Sequence, residues 1–221
     1  MGKLFVIEGI DGSGKSTQVN ALVERLKRDG RTSMHIRFPQ YDRPSSALLR
    51  MYLDGEFGSR PTDVNAFAAS TFFAVDRYAS YKKVWGADYE NGATILSDRY
   101  VSSNLIHQGS KLKGKEALEF FDWLYDFEFD KLGLPRPDAV LFLDVPPSAA
   151  VRQVEKRYGG DETKKDIHEK DLSYLEKCYE TAVFACEHGY MRRIECLGSD
   201  GKVKSIDEIA DTIYEIVKKE F

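Results

Sequence analysis

The chain has 221 residues, of which 42% are hydrophobic and 31% are charged, a balance that excludes a disordered or membrane-embedded protein and fits one domain with its own core. The formal net charge of -4 argues against a nucleic-acid binder whose affinity depends on overall positive charge, and it is compatible with a local basic pocket. The three cysteines, Cys178, Cys186 and Cys196, form no CxxC pair and are predicted to be structural thiols in a reducing cytosol.

The first 30 residues predict a strand, a glycine-rich loop and a helix. Residues 4–7 are an apolar run typical of a buried strand and too short for a signal peptide or a membrane span. Val19, Leu22 and Leu26 then recur at helical spacing. Gly30 is a candidate for the residue that ends this helix.

The rest of the chain alternates strands with helices. Further strands are predicted at residues 34–38, 94–96, 139–144 and 193–196. Helices are predicted at residues 45–53, 62–83, 115–129, 148–156 and 172–187, and after a capping box at 205–208. This alternation predicts an α/β fold of three layers, with a parallel sheet of about five strands and helices on both faces. We expect a single domain spanning residues 1–221.

The strongest motif lies at residues 9–16, GIDGSGKS, which matches G-x-x-x-x-G-K-[ST] between a predicted strand and a predicted helix. In such a P-loop, backbone N–H groups and the helix N-terminus bind phosphate. Its lysine reaches the β- and γ-phosphates, and its serine ligates Mg²⁺. The predicted nucleotide-binding residues are Gly9, Asp11, Gly12, Ser13, Gly14, Lys15, Ser16 and Thr17.

The P-loop alone does not separate kinases, GTPases and ATPase motors. The sequence has no Asn-Lys-x-Asp run for guanine recognition. A motor would be expected to follow its Walker B aspartate with glutamate, whereas Asp144 is followed by Val145 and Pro146. The sequence therefore favours a kinase over both alternatives.

Several segments beyond the P-loop resemble the thymidylate kinases, in order and over nearly the whole chain. The matching segments are residues 5–17, 38–39, 73–77, 98–104 and 141–145. The resemblance implies a P-loop nucleoside-monophosphate kinase that uses Mg²⁺ and transfers the γ-phosphoryl group of ATP to dTMP. It also implies a cytoplasmic homodimer whose partners are ATP and dTMP, without nucleic acid or membrane.

Phosphoryl transfer to a monophosphate brings two polyanions together, so the site needs arginine at the acceptor and a metal at the donor. Arg99 directly follows a predicted strand, at the edge where open parallel sheets bind ligands, and is predicted to hold phosphate with two hydrogen bonds. The resemblance implies that Asp98 orders magnesium or its waters, and that Asp11 contacts magnesium or the acceptor. Asp98, Asp11 and Ser16 are the predicted metal-binding residues. Asp98 and Asp11 are also predicted to be catalytic residues, together with Lys15 and Arg99.

Phe73 and Arg77 lie four residues apart, on one face of a predicted helix. By itself the pattern favours a core aromatic and a salt bridge. The resemblance implies instead that Phe73 stacks on thymine and that Arg77 hydrogen-bonds its O4 atom.

Other substrate-binding candidates surround this pair. The resemblance implies that Phe38 packs beside the sugar and base, after which Pro39 fixes a turn. Asn104 and Gln108 lie one helical turn apart and are candidates for reading the base edge. Arg50 is either a ligand of the acceptor phosphate or a solvated helix arginine.

A polar segment, at about residues 157–167, corresponds to the lid of this family, which closes over ATP and excludes water. The P-loop holds Gly12 and Ser13 where some thymidylate kinases place an arginine, so we expect the catalytic cation to come from the lid. Lys164 and Lys165 stand near the place of the lid arginine, and which of them acts is open.

Two further departures concern selectivity and adenine. His107 stands where many bacterial relatives have a tyrosine near the sugar, which leaves the discrimination between deoxyribose and ribose open. Arg152 is the candidate for stacking on adenine. Two other functions are compatible with the residues: a kinase for another pyrimidine monophosphate, and a regulatory module that binds nucleotide without transferring phosphate.

Overall fold

The computed structural model describes residues 1–158 and 172–221, and the side-chain surroundings of all of these except 153–158 and 172. In this part of the chain, five strands form one parallel sheet in the order β2-β3-β1-β4-β5. The strands are β1 (Lys3–Glu8), β2 (Ser33–Arg37), β3 (Thr94–Asp98), β4 (Ala139–Asp144) and β5 (Arg192–Glu195). The predicted parallel sheet of five strands is confirmed.

Helices connect and cover these strands. They are α1 (Lys15–Arg28), α2 (Ala47–Leu53), α3 (Ala66–Ser80), α4 (Gly86–Glu90), α5 (Ser102–His107), α6 (Gly114–Tyr125), α7 (Pro147–Tyr158), α8 (Leu172–Glu187) and α9 (Ile206–Val217). Two π-helical turns, Tyr81–Trp85 and Asp126–Lys131, continue α3 and α6. Within residues 1–158 and 172–221, no helix has the length and hydropathy needed to cross a membrane.

The helices form two layers, one on each face of the sheet. Helix α1 packs against α9 and against β1, β2 and β3, whereas α5 packs against α8, which contacts β4 and β5. The connection from β1 to β2 runs in one direction along the sheet, and the connection from β3 to β4 runs in the other. Crossovers between parallel strands are right-handed as a rule, so these opposite directions put α1 and α5 on opposite faces, in agreement with their separate contacts to α9 and α8. This confirms the three-layer architecture.

The carboxyl ends of β1, β3 and β2 meet at one edge of the sheet. Ile7 and Arg37 both lie opposite Asp98 in the strand register. Beyond the strands, the N–H group of Arg99 donates to the carbonyl of Ile7 at 3.2 Å, and that of Phe38 donates to the carbonyl of Asp98 at 3.0 Å. The helices that follow β1 and β3 lie on opposite faces, so a crevice opens between these strands, and such crevices bind ligands.

The predicted helix at residues 62–83 is wrong at its start. Asp63 accepts from the N–H of Arg60 at 3.0 Å and closes a short 3-10 turn, Pro61–Asp63. Helix α3 begins only after Asn65, whose side chain accepts from the N–H of Ala68 at 2.8 Å. Asp63 therefore caps a short turn, and the hydrophobic periodicity does not distinguish this turn from the helix that follows it.

Other boundaries agree with the sequence. Gly30 has φ 71° and follows α1, where the N–H of Arg31 donates back to the carbonyl of Leu26 at 2.9 Å, as expected of a helix that ends at glycine. At the other end of the chain, Ser205 and Glu208 form the predicted capping box of α9. The predicted helix over 172–187 coincides with α8.

Candidate active site

A cavity of about 420 Å³ opens at the carboxyl edge of the sheet. Its lining comes from the loop after β1, the ends of β2 and β3, helices α1 and α2, and one face each of α3 and α5. One part of this wall is the P-loop, and another is built from aromatic and amide side chains. The cavity therefore joins a phosphate-binding loop to an apolar and hydrogen-bonding surface.

Glycine is required at several points of the P-loop. Gly12 and Gly14 have φ values of 85° and 89°, a left-handed conformation that other residues adopt at a cost. A Cβ atom at Gly9 would lie 2.3 Å from Oγ and 3.1 Å from Cβ of Ser13, so a larger residue there would force Ser13 to shift. That Ser13 oxygen is buried and has no hydrogen-bond partner among the described residues.

Lys15 is buried inside this loop. Its Nζ donates to the carbonyls of Gly9 at 3.0 Å and Ile10 at 2.9 Å. Burial, and after it the nearby Arg99, lower the pKa of Lys15 to about 8 against the attraction of neighbouring carboxylates that include Asp11. An anion bound here would restore the charge of the lysine.

Ser16 and Asp98 supply oxygen atoms at the mouth of the loop. Ser16 Oγ donates to Asp98 Oδ2 at 2.5 Å. Within residues 1–158 and 172–221 there is no cluster of three or more His, Cys, Asp or Glu side chains that would enclose a metal. One hydroxyl with one carboxylate fits Mg²⁺, which keeps several waters and takes other ligands from substrate phosphates.

Arg99 has a left-handed backbone, with φ 71°, as the only described residue other than glycine. Such a conformation is costly and persists where the surroundings enforce it, often at functional sites. Arg99 Nη2 donates to Asp11, and its Nη1 lies 2.9 Å from Nε2 of His107. Burial opposes the charge of Arg99, but Asp11, Glu8 and Asp98 outweigh it and raise its pKa.

The turn that follows β3 at Arg99 and Tyr100, here called the Arg99 turn, is anchored by Glu8. The sequence analysis gave Glu8 no role. Glu8 is fully buried at the end of β1 and accepts from the N–H of Tyr100 at 3.0 Å. It also accepts from Oγ of Ser102 and Oγ of Ser103, each at 2.8 Å. Burial raises the pKa of Glu8, while Arg99 and these donors lower it. A charged residue at the end of an otherwise apolar strand was the available signal.

Phe73 and Phe38 provide the aromatic part of the wall. Phe73 meets Tyr52 edge-on with ring centroids 6.2 Å apart, and Phe38 packs against Tyr100 at 5.9 Å. Both line the cavity. Near them lies Gln108, which is fully buried and whose two amide atoms have no hydrogen-bond partner among the described residues. An amide in this state at a cavity wall is suited to a polar ligand.

Arg77 takes part in an ion pair and also lines the cavity. Its Nε and Nη2 donate to the two carboxylate oxygens of Glu128 at 2.6 Å and 2.5 Å. Both side chains are buried. The salt bridge that the pattern favoured is therefore present, in an arginine that also lies at the cavity wall. Glu128 was missed because it lies 51 positions away.

A loop between β2 and α2 covers one side of the cavity. The buried Asp76 accepts from the N–H of Gln40 at 2.8 Å and from Oγ of Ser45 at 2.6 Å. Arg50 Nη1 donates to the carbonyl of Tyr41 at 2.5 Å. Arg50 and Tyr41 both line the cavity, as does Arg37 at the end of β2; Arg37 and Tyr41 were not predicted.

Asp144 is held away from this cavity by its own partners. Arg193 donates to Asp144 Oδ2 from Nε at 2.8 Å and contacts it from Nη2 at 2.6 Å. Tyr179 donates to the other oxygen at 2.7 Å. Asp144 is therefore a structural carboxylate, which agrees with the argument against a motor ATPase.

Comparison with known proteins decides the family. The sequence matches the family model described as thymidylate kinase over residues 7–194. The chain belongs to the thymidylate kinase family. Its activity is accordingly that of a phosphotransferase acting on thymidylate.

Individual relatives agree with this assignment. The chain is 30% identical to the thymidylate kinase of Mycobacterium tuberculosis over 199 residues, which cover 89% of this chain and 92% of the relative. It is 31% identical to the human thymidylate kinase over 152 residues, or 69% and 65% of the two chains. A solved thymidylate kinase from Candida albicans, 24% identical, superimposes with a TM-score of 0.68 over 99% of this chain and 92% of that one. This last comparison shows a shared fold.

Most of the residues predicted for the site line the cavity at the carboxyl edge of the sheet. The predicted residues that line it are Asp11, Gly12, Gly14, Lys15, Ser16, Thr17, Phe38, Pro39, Arg50, Phe73, Arg77, Asp98, Arg99, Asn104, His107 and Gln108. Gly9 and Ser13 shape the P-loop from behind. Arg152 lies on α7, exposed and apart from the lining. Lys164 and Lys165, with most of the predicted lid, lie outside the described residues.

Proposed function

We propose that this chain, working as a single domain, transfers the γ-phosphoryl group of ATP to dTMP in the cavity at the carboxyl edge of the sheet. The observation that carries the proposal is the direct contact between Arg99 and the P-loop residue Asp11. It places an arginine suited to an acceptor phosphate next to the loop suited to donor phosphates. The acceptor is already an ionised phosphate, so the site needs alignment and charge neutralisation more than a general base.

The P-loop would hold the donor. Backbone N–H groups of the loop that contains Gly9, Gly12, Ser13 and Gly14 would surround the β-phosphate, together with the start of α1 at Lys15, Ser16 and Thr17. Lys15 now donates to two carbonyls of its own loop. In the complex we expect its ammonium to turn to the β- and γ-phosphate oxygens.

Ser16, Asp98 and Asp11 are the residues that would hold Mg²⁺ or its waters. Mg²⁺, when bound, supplies positive charge that neutralises the donor phosphates. Ser16 and Asp98 are already in contact. Asp11 is also the partner of Arg99, so its carboxylate orients the arginine toward the acceptor.

The acceptor would lie between Arg99 and the aromatic wall. We propose that Arg99 holds its phosphate, with Arg50 as a second ligand at the rim of the cavity. His107, which contacts Arg99 at 2.9 Å, would lie near the sugar. Phe73 would stack on the base, and Arg77 would donate to its O4 atom.

The remaining predicted residues complete the acceptor and donor sites. We propose that Phe38 and Pro39 shape the wall beside the sugar and that Asn104 and Gln108 read the base edge. Their support is that all four line the cavity. We retain Arg152 as a proposed adenine contact and a lid near residues 157–167, with Lys164 or Lys165 as the catalytic cation.

A homodimer is our proposal for the assembly. Helix α3 exposes Phe67, Val75 and Tyr78 at 42%, 46% and 39%, at a spacing that puts them on one helical face. Phe67 also meets Trp123 edge-on at 4.7 Å. Exposed apolar stripes of this kind mark interaction surfaces, and light scattering is expected to give twice the chain mass of 25.1 kDa.

We further propose that ATP and dTMP are the small-molecule partners and that the protein acts in the cytoplasm without nucleic acid or membrane. The support is the net charge of -4 and the three free cysteines, of which Cys178 and Cys196 are buried. A reducing compartment suits such thiols.

The proposed function is tested by initial rates with Mg-ATP and four acceptors in parallel, namely dTMP, dUMP, dCMP and UMP. We expect the highest kcat/KM with dTMP. A preference for dCMP or UMP would overturn the proposal, and so would ADP release that does not depend on the monophosphate. The ratio of dUMP to UMP turnover also measures how strictly a site with His107 excludes ribose.

A further inference from the structure

One buried carboxylate, that of Glu128, lies behind the cavity and holds two residues of its wall. Glu128 is 0% exposed and belongs to the π-helical turn Asp126–Lys131. Arg77 donates to it from Nε at 2.6 Å and from Nη2 at 2.5 Å. Because a bidentate pair fixes both the position and the plane of a guanidinium, Glu128 sets the orientation of Arg77.

The free edge of the Arg77 guanidinium is a hydrogen-bond donor. Nε and Nη2 each donate one N–H to Glu128, and Nη1 donates one N–H to the carbonyl of Tyr100 at 3.4 Å. One N–H on Nη1 and one on Nη2 therefore stay available to a ligand in the cavity, which Arg77 lines. A guanidinium has donors and no acceptor, so the polarity of this point is fixed.

Asn104 is a second residue of the cavity wall that interacts with Glu128. Its side chain lowers the pKa of Glu128, as a donor facing that carboxylate does, and its Nδ2 donates to the carbonyl of Ser70 at 3.4 Å. A carboxylate and a carbonyl both accept, so the NH₂ group of the amide must face them. The amide oxygen is then the atom that Asn104 offers to the cavity.

The wall thus presents a donor from Arg77 beside an acceptor from Asn104. A 4-oxo pyrimidine has the complementary edge, with an acceptor at O4 beside a donor at N3. A 4-amino pyrimidine has the reverse, with a donor at N4 beside an acceptor at N3. Buried polar groups that meet the wrong partner are left unsatisfied, which gives strong discrimination.

We propose that Glu128 is a specificity-determining positioning residue, which fixes the hydrogen-bonding polarity of Arg77 and Asn104 so that the cavity takes a 4-oxo and refuses a 4-amino pyrimidine monophosphate. The inference rests on the proposed function, because it takes this cavity as the site of the acceptor base. A neutral amide at position 128 would release one edge of the guanidinium and allow the Asn104 amide to turn over.

The test compares wild type with Glu128→Gln, which keeps the size of the side chain and removes its charge. Steady-state kcat and KM are measured for dTMP and dCMP at saturating Mg-ATP, with the KM for ATP as a further readout. We expect the ratio of kcat/KM for dTMP to that for dCMP to fall about tenfold or more, through a higher KM for dTMP. The KM for ATP stays unchanged.

Asp144→Asn is the matched control. It disrupts a second bidentate pair with an arginine, Arg193, that lies apart from the cavity. A general loss of stability would lower activity in both variants. Only Glu128→Gln is expected to change the ratio of kcat/KM for dTMP to that for dCMP. If Glu128→Gln does not fold, Glu128→Asp is judged by the same ratio, because it draws the carboxylate back from both partners.

The outcomes separate this inference from the function on which it rests. A wild-type enzyme without preference for dTMP over dCMP overturns both. A wild-type preference that persists within twofold in the folded Glu128 variant overturns this inference alone, as does an equal fall of the ratio in Asp144→Asn.

Discussion

The hydroxyl of Ser16 donates to the carboxylate of Asp98 at 2.5 Å, although the two residues are 82 positions apart. Ser16 lies in the first turn of α1, and Asp98 is the last residue of β3. The parallel pairing of β1 with β3 brings both to one edge of the sheet. The phosphate loop and the turn that carries Arg99 thus share a contact made of oxygen ligands suited to magnesium.

This contact predicts the metal dependence of the Ser16 variants. Ser16→Ala removes one oxygen, so the Mg²⁺ concentration for half-maximal rate should rise at least about tenfold. Ser16→Thr retains the hydroxyl and is expected to stay near wild type. The measurement is the initial rate against free Mg²⁺ at fixed ATP, and an alanine curve that overlays the wild-type curve would remove Ser16 from the metal site.

Nucleotide affinity should fall in alkaline solution because of Lys15. Its pKa is lowered to about 8, so the side chain is charged below that pH and loses its proton above it, and a bound phosphate needs the charged form. The affinity for ADP should therefore weaken by about tenfold between pH 7 and pH 9, with proton uptake on binding near pH 8.

Calorimetry of ADP binding in two buffers of different ionisation enthalpy measures this proton uptake. Lys15→Met is the control: it should bind weakly and without the pH dependence. Binding that is equally tight at pH 7 and pH 9 would contradict the lowered pKa, and so would a pH dependence that the Met variant retains.

Glu8 is expected to act on the acceptor through the Arg99 turn. In Glu8→Gln an amide NH₂ replaces one of the oxygens that accept from the turn, which should cost about 1–3 kcal/mol in the free energy of unfolding. The kcat/KM for dTMP should fall by more than the kcat/KM for ATP, since Arg99 would lose its fixed orientation.

Denaturant unfolding and steady-state kinetics check the two parts of this prediction. Ser102→Ala serves as the milder variant, because it removes one donor and leaves the carboxylate in place. If Glu8→Gln is destabilised but keeps wild-type kinetics for dTMP, Glu8 supports the fold alone and does not position Arg99.

Phe73 and its neighbour Phe72 offer a matched pair for the base site. Both pack against Tyr52, at 6.2 Å and 6.3 Å between ring centroids, but only Phe73 lines the cavity. Loss of a stacking ring costs about 1–3 kcal/mol, so Phe73→Ala should raise the KM for dTMP by about tenfold or more. Phe72→Ala should lower the melting temperature with little change in that KM. A similar KM in both variants would contradict stacking by Phe73.

The sequence predicted the fold and most of the cavity lining because the relevant signals are local. The P-loop, the apolar strand runs and the Arg99 turn each occupy a few consecutive residues, and the parallel sheet brings their ends together. The predicted helix boundary was wrong at Asp63, which closes a 3-10 turn, because aspartate is common at the start of helices as well as in turns.

What the sequence could not predict depends on distant partners. Glu8 and Glu128 are charged residues within apolar surroundings, and their roles become visible only when the turn after β3 and helix α3 are seen to donate to them. Arg77 illustrates the same limit: the pattern predicted a salt bridge, which the structure shows with Glu128, whereas the contact with the base that the resemblance implies stays a prediction. A guanidinium has more than one edge, so the two roles are compatible.

The central claim is that one cavity binds the phosphates of ATP and the phosphate of dTMP, and transfers a phosphoryl group from the first to the second. Phosphorus NMR of a mixture of ATP, dTMP and Mg²⁺ tests it most directly. We predict that ADP and dTDP appear together in equal amounts with wild type, and that Lys15→Met forms neither at a comparable rate. Release of inorganic phosphate from ATP without dTDP would contradict the account.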